Sequence, residues 1–373
     1  MQPVFSVALR PSTMSAGSGV YKNIPGPYIS NYSHTITAFG GYDTAQIQVR
    51  IKRVELEEYL TRIIGSNIKV QSGESDQIWE GFINEISLTY IDSGADITVG
   101  PIMDIANKVL VRYSDYVTGV PGVTTYANDI LSQTRYGIFT KVLNSASVSA
   151  TNAANIRDHY IRDNKFPAYN ITLSNQSDVL SVTLNCLGYI HLLSTYVYNN
   201  SNVGTYTVRE KIIETLQAHP GSLFNRSGLI GTNALSVDRV EDEDRLAIDV
   251  IKELVALGSA TNNDRMLFGI YDDRVAIYKV VPTNVTRFYK NYKNNRFIFN
   301  NSGGKVNMAT LKPGQYIGIS DIPDFISGGI RSVAKYIFAE SITYTAPFDL
   351  SITGTYVSTL QQKLAKLGIS GLS

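Results

Sequence analysis

The sequence predicts an α+β fold in which β-rich parts at both ends of the chain flank a helix-containing part. Three observations predict it. The stretch Asp76–Tyr90 alternates at period two, placing Ile78, Phe82, Ile86, Leu88 and Tyr90 on one face. Alternation returns at Tyr169–Leu187 and in the long run Ser332–Tyr344. Between them, Glu241–Leu257 carries Leu246, Val250, Ile251, Leu254 and Val255 at helical spacing.

Taken in order, His34–Lys52 reads as a hairpin: Ile36 and Ala38 alternate with Thr35 and Thr37, Gly40-Gly41 supplies the turn, and Ala45, Ile47, Val49 and Ile51 continue the alternation. A short helix is expected at Leu56–Ile64, stopped by Gly65. Strands follow at Ile68–Gln71 and 77–91, the latter bending at Gly81, where Trp79, Ile83 and Asn84 break the pattern. Asp92-Ser93-Gly94 turns the chain into Ala95–Val99. Pro101 starts one helical turn, and Lys108–Tyr113 completes a unit suited to a small antiparallel barrel. Helices are expected at Tyr126–Thr134 and Ala153–Arg162. Tyr169–Leu173 and Val179–Leu187 return to β-pattern, His191–Tyr198 fits either a strand or a short helix, and Asn199–Asn202 reads as a loop. After a helical stripe at Val208, Ile212, Ile213 and Leu216 comes Glu241–Leu257, with acids in its first turn and Gly258 at its end. A hairpin at Met266–Val281 turns at Asp272-Asp273-Arg274. Strands then follow at Arg287–Tyr289, Phe297–Phe299, Gln315–Ile319 and Ser332–Tyr344, and Leu360, Leu364 and Leu367 mark a final amphipathic segment.

Composition narrows the function classes. Charged residues are 17% of the chain, against about 25% in typical proteins, and Asn, Ser, Thr, Gly and 24 Tyr take their place. Such a surface suits burial against other subunits, because a Tyr ring covers area while its hydroxyl still finds a partner. The same composition also fits a lone β-protein. A net charge of +1 gives no electrostatic footprint for sequence-specific nucleic-acid binding. The single Cys, Cys186, makes no intrachain disulfide and lies among apolar neighbours, as core thiols do. The first residues lack the basic and apolar regions of a signal peptide, and no apolar run is long enough for an integral membrane segment. Synthesis in a cytoplasm is the expectation.

No set of residues converges on a reaction. His34, His159, His191 and His219 form no His-x-x-x-His pair, so neither a metal site nor a cofactor is expected. Gly17-Ser18-Gly19 and Ser302-Gly303-Gly304-Lys305 lack the spacing of a phosphate loop. The acids Glu241–Asp244 are explained by a helix dipole, Asp272-Asp273 by a turn, and Asp92, Asp96 and Asp104 by turns and a helix start. The Asn-x-Ser/Thr triplets at Asn31, Asn170, Asn175 and Asn284 follow from an Asn-rich composition. Trp79, the only Trp, fits a sugar-stacking platform less well than a core or subunit contact. No catalytic residue is assigned; the chain reads as a non-enzyme.

The order of several segments resembles a known family. Gly40-Gly41-Tyr42-Asp43-Thr44-Ala45, Ile78-Trp79-Glu80-Gly81-Phe82-Ile83 and Ile97-Thr98-Val99-Gly100-Pro101-Ile102-Met103-Asp104 look like the first barrel of phage tail and baseplate hub proteins. Leu184-Asn185-Cys186-Leu187-Gly188-Tyr189 resembles their strand-to-helix junction. Phe268–Arg274 and Leu311–Tyr316 resemble segments of minor tail proteins. The resemblance implies two small antiparallel β-barrels per chain with a helix-containing α/β insertion. Residues 1–115 would be the first barrel, 116–165 a helical connector, and 166–204 with 305–346 a discontinuous second barrel. Residues 205–304 would be the insertion and 347–373 a C-terminal tail.

The family further implies a homotrimeric structural virion protein at the tail tip or baseplate, made in the bacterial host cytoplasm. It would join the tail tube to tip or fibre proteins and surround the DNA-ejection channel. Its partners would be a tail tube or distal tail protein, a tail fibre or spike, and the tape measure. The other readings are a carbohydrate-binding or depolymerising tail protein and a hexameric distal tail or tube protein. In the hub reading Phe82 and Ile86 point into the first barrel, and Trp79 sits at its rim or a subunit contact.

Overall fold

The structure is a computed structural model describing residues 4–8, 21–24, 29–50, 63–71, 76–90, 95–173, 181–200, 204–219, 223–229, 235–239, 242–260, 265–281, 287–292, 295–300, 307–319, 335–346 and 349–356. The first third contains β1 (Val4–Ala8), β2 (Tyr21–Ile24), β3 (Ile29–Thr37), β4 (Phe39–Arg50), β5 (Asn67–Gln71), β6 (Gln77–Tyr90) and β7 (Ala95–Val99). A small α/β unit follows with β8 (Lys108–Ser114), β9 (Pro121–Val123), β10 (Ala127–Asn128), α1 (Ile130–Tyr136), β11 (Thr140–Ser145) and α2 (Ala150–Asn164). Next come β12 (Tyr169–Leu173), β13 (Ser181–Leu187), β14 (Val197–Asn200), β15 (Gly204–Thr207), α3 (Val208–Ala218), β16 (Ser236–Arg239), β17 (Asp242–Leu246) and α4 (Ala247–Ala256). The chain closes with β18 (Met266–Ile270), β19 (Ala276–Val280), β20 (Arg287–Tyr292), β21 (Asn295–Asn300), β22 (Tyr316–Ile319), β23 (Lys335–Thr345) and β24 (Asp349–Tyr356). The class is α+β and β-rich, as the alternation requires.

Strands from both ends of the chain share one 16-stranded sheet among the described residues. β13 lies between β6 and β4, pairing Leu184 with Ile86 on one side and with Ile47 on the other. β3 pairs with β4 and with β23. One path through the sheet runs β12-β7-β6-β13-β4-β3-β23-β24, and each of its seven pairings is antiparallel. Burial alternates strictly along β13, where Val182, Leu184 and Cys186 face the core.

Trp79 lies inside this core at 0% exposure, beside the Tyr42 ring at 6.3 Å. The expected rim or subunit-contact position is therefore corrected: both faces of β6 are covered around residues 78–83, so an indole there packs within the chain. Phe82 and Ile86 are both buried, but Phe82 pairs with Leu187 and Ile86 with Leu184, so they lie on opposite faces of β6 and the expectation that both point into one barrel is corrected.

The ladder between β6 and β13 is interrupted by a β-bulge. Cys186 pairs with Ile83 and Asn185 with Glu85, leaving Asn84 unpaired in the ladder, and its side-chain oxygen accepts the Met103 N–H at 3.1 Å. Gly81 serves a close approach, since a Cβ there would lie 2.1 Å from the Leu187 carbonyl oxygen.

Other boundaries move for identifiable reasons. The β3–β4 hairpin turns at Ala38. Gly40 and Gly41 lie inside β4, where β18 runs alongside, and a Cβ on Gly41 would meet the Ile270 carbonyl oxygen at 2.4 Å. Helix α1 begins at Ile130 because the Asp129 carboxylate caps the Ser132 N–H at 2.9 Å. Ala127 and Asn128 instead pair with β8. The start of the expected 241–257 helix is a strand: β17 pairs with β14, and Ala247 N–H donates to the Tyr196 carbonyl where α4 begins. Tertiary pairing outweighs the dipole argument for the acids there. The same pairing makes Asn199 and Asn200 part of a strand. The expected helix at 56–64 and the segment at 360–367 lie outside the described residues, apart from Ile63 and Ile64. β24 answers to no expected element.

Lys108–Tyr113 forms β8, which leaves the large sheet for a four-stranded one with β9, β10 and β11. Buried Asn107 ties this unit together. Its amide donates to Ser132 Oγ and the Gly137 carbonyl, and its side-chain oxygen accepts the Phe139 N–H at 2.8 Å.

Candidate assembly surfaces

β12 and β24 end the eight-strand path, and each has one paired edge among the described residues. β12 is Tyr169-Asn170-Ile171-Thr172-Leu173, with no charged residue; β24 carries none after Asp349. Soluble monomers blunt such edges with Lys, Pro or bulges, because a bare row of N–H and C=O groups invites another strand. On β12 the same-face pair Tyr169 and Ile171 is 57% and 58% exposed. Ala168–Ile171 is exposed without interruption.

Exposed apolar side chains concentrate in the stretch 116–171. Of the large hydrophobics exposed among the described residues, Tyr116, Val117, Val120, Val123, Ile130, Leu131, Ile156 and Phe166 join the two on β12, leaving only Leu257 and Val280 elsewhere. Ile130 and Leu131, at 67% and 78% exposure, are presented rigidly by α1. Asp129 caps that helix and pairs with Lys165 Nζ at 3.0 Å, while Ser132 Oγ donates to the Lys165 carbonyl. Phe166 follows directly, with Lys165 Nζ over its ring. Ala168 then accepts the Gly100 N–H at 3.0 Å, and the chain enters β12.

A second feature is a charged junction between β6 and the tip of the β18–β19 hairpin. Buried Glu80 accepts from Gln77 Nε2 at 2.8 Å and from the Asp273 N–H at 2.7 Å. Lys69 pairs with Asp273 and lies 3.8 Å from Glu80. Burial raises the Glu80 carboxyl above its usual range, opposed by Lys69 and the two hydrogen bonds. Tyr42 donates its hydroxyl to Asp272, which also meets Lys312 Nζ at 3.3 Å. Asp273 and Arg274 occupy left-handed backbone, at φ 54° and 59°. Arg274 lies over the Tyr189 ring at 4.5 Å. These contacts hold a turn that neither residue favours.

The other candidates from the sequence stay apart. His34 is buried between the Tyr32 and Tyr344 rings, and desolvation lowers it to about 3, so it is neutral. His159 is exposed on α2. His191 Nε2 meets Asp43 Oδ1 at 2.8 Å, and His219 packs between Tyr196 and Phe224. No group of three or more His, Cys, Asp or Glu able to hold a metal occurs among the described residues. No helix among them is long and apolar enough to cross a membrane. Asp104 ends a short 3₁₀ turn and Asp96 lies in β7, while Asp92, Gly17–Gly19 and Ser302–Lys305 lie outside the described residues. Asn31 and Asn170 lie in strands, and Asn175 and Asn284 lie outside the described residues. The β12 and β24 edges escaped sequence reading because a free edge is a property of pairing. The one legible signal was the uncharged Tyr-Asn-Ile-Thr-Leu run.

No family model matches the chain, and no curated protein matches it. Among solved structures, the chain is similar to the prophage tail protein gp18 from Listeria monocytogenes EGD-e, at 8% identity and TM-score 0.41, covering 99% of this chain and 98% of that one. It is similar to the 43 kDa tail protein of prophage MuSo2 from Shewanella oneidensis, at 7% identity and TM-score 0.40, covering 95% and 96%. It is also similar to the E. coli c3393 protein, at 10% identity and TM-score 0.38, covering 89% and 74%. That protein is described as a type VI secretion component with structural similarity to the T4 bacteriophage tail proteins gp27 and gp5.

Proposed function

We propose that this chain is a structural component of a phage tail, a trimeric hub at the tail tip or baseplate whose copies join edge to edge around the ejection channel. The observation that carries the reading is the eight-strand antiparallel path ending in β12, which carries no charge, and β24, which carries none after Asp349. Eight is even, so β12 and β24 run in opposite directions. A rotation that sets β24 of one copy beside β12 of the next therefore continues the antiparallel alternation across the junction. This is a heterologous contact, and it closes into a ring when the rotation divides a full turn.

Three copies would contribute twenty-four strands. At roughly 4.8 Å between strands and a tilt of about 40°, they would enclose a barrel about 48 Å across at the backbone. That is wide enough for a DNA duplex. The eight-strand path draws β3, β4, β6 and β7 from residues 1–115, β12 and β13 from 166–204 and β23 from 305–346, so in this reading the two expected units contribute to one arc per chain. The tail-tube, fibre and tape-measure partners belong to the same proposal. Its chemistry is burial and strand pairing; no step of bond making is assigned.

Native mass measurement and negative-stain imaging of the purified chain, alone and with a tail tube protein, test this reading. Trimers with a threefold ring are expected. A sixfold ring would reassign the chain to a distal tail or tube role, and a monomer under both conditions would overturn assembly altogether.

A further inference from the structure

We infer that a second copy completes the apolar core at the β12 edge, its β24 paired in the one register that sets Ile352 opposite Ile171. The inference rests on the edge-to-edge reading above and names the residues that meet across the junction.

The core of one copy runs out at β12. Directly opposed residues of antiparallel strands share a face. One such row is Leu184, Ile86, Val99 and Tyr169, and the next is Val182, Leu88, Ile97 and Ile171. Along each row the cover falls away. The residues of β13 and β6 are at most 1% exposed, those of β7 are partly buried, and Tyr169 and Ile171 reach 57% and 58%. The two β12 side chains therefore carry the core face of the sheet out into solvent.

β24 offers the matching face. Leu350 pairs with Tyr344 and Ile352 with Ile342, which in turn pair with His34 and Ile36. His34 lies opposite Ala45, on the side of β4 that carries Ile47, the partner of Leu184. Leu350 and Ile352 thus point to the same side of the sheet as Tyr169 and Ile171, while Ser351 and Thr353 are exposed on the other. Within one copy β12 is held by β7 and β24 by β23, and the two strands do not pair with each other. The β24 that meets β12 belongs to a second copy.

Face and length then select the register. A slip of one residue would turn the apolar side of β24 away from the core. With Ile352 opposite Ile171, Leu350 meets Leu173 and Gly354 meets Tyr169, so all of β12 is paired within β24. A slip of two residues one way carries Leu173 past Asp349, where β24 begins. A slip of two the other way sets Ile171 against Gly354, which gives it no side chain to pack on. In the chosen register the Tyr169 ring instead lies over Gly354, where a Cβ would stand 2.1 Å from the Phe338 carbonyl oxygen. On the other face Thr353 meets Asn170 and Ser351 meets Thr172. No charge lies in β12 or between Leu350 and Gly354, so none is desolvated.

The experiment co-expresses full-length Ile171→Cys and Ile352→Cys chains, distinguished by tags, and oxidises the assembly mildly. Native Cys186 is buried and does not compete. Directly opposed Cα atoms about 4.5–5.5 Å apart suit a disulfide, whereas diagonal neighbours at about 7–8 Å do not. Covalent dimers containing one chain of each kind are expected. None are expected from Leu173→Cys with Ile352→Cys, or from Ile171→Cys with Leu350→Cys. In parallel, Tyr169→Ala, at a residue already exposed in one copy, is expected to keep its thermal melt and to raise the concentration for half-dissociation roughly tenfold. Rings that link through either control pair, or through no pair, overturn this register while leaving edge pairing intact. A chain that stays monomeric overturns both.

Discussion

The Glu80 carboxylate accepts the backbone N–H of Asp273 at 2.7 Å, joining β6 to a hairpin tip 193 residues later. Its carboxyl titrates above the usual range because burial disfavours the charge. The unfolded chain therefore releases this proton at lower pH than the folded one. The stability contributed by Glu80 is fully present below its unfolded pKa and is lost as pH rises through its folded value. Glu80→Gln removes that dependence. Urea unfolding should show the wild-type advantage over the variant larger near pH 4.5 than at pH 7; an advantage that grows with pH would contradict the burial argument.

Trp79 tests whether β6 organises the monomer or the assembly. Trp79→Ala should cost about 3–5 kcal/mol, as large aromatic deletions in cores do. Trp79→Phe should cost much less, because the indole N–H meets no hydrogen-bond acceptor among the described residues. Chemical denaturation followed by circular dichroism distinguishes the two, and native Trp fluorescence should be blue-shifted until unfolding.

Two glycines separate steric from conformational demand. A Cβ on Gly188 would lie 1.7 Å from the Tyr42 carbonyl oxygen, although its φ of −69° suits any residue. Gly188→Ala should cost about 3 kcal/mol or more. Gly119 has φ +69° with nothing within 4 Å of a new Cβ, so Gly119→Ala should cost only about 1 kcal/mol. Equal losses in thermal melts would refute the distinction.

Ile171→Lys places a charge on the exposed face of β12. It should change monomer stability by no more than about 0.5 kcal/mol and should prevent ring formation. Size-exclusion chromatography with light scattering, alongside a melt, measures both.

Cys186 is buried and burial pushes its thiol up, so the reactive thiolate is suppressed. Labelling by a maleimide should be slow in the native protein and should accelerate with unfolding under denaturant. Fast native labelling would place the 181–187 strand outside the core.

The α+β class and most individual strands were legible in the sequence, because period-two alternation reports which side chains are buried wherever the chain is extended. β6, β7, β13 and β23 follow directly from it, and the β18–β19 hairpin from its turn residues. The resemblance of short segments to hub proteins came from their order. What tertiary structure alone decided is pairing: that β13 lies between β6 and β4, that Lys108–Ser114 joins another sheet, and that acidic 242–246 is a strand. That Tyr169–Leu173 and β24 each have one paired edge among the described residues belongs to the same category. A one-dimensional pattern records which side chains a strand buries, whereas its neighbours depend on hydrogen bonds between residues up to three hundred positions apart. Burial of Trp79 was settled the same way, since a second covered face on β6 is supplied by residues distant in sequence.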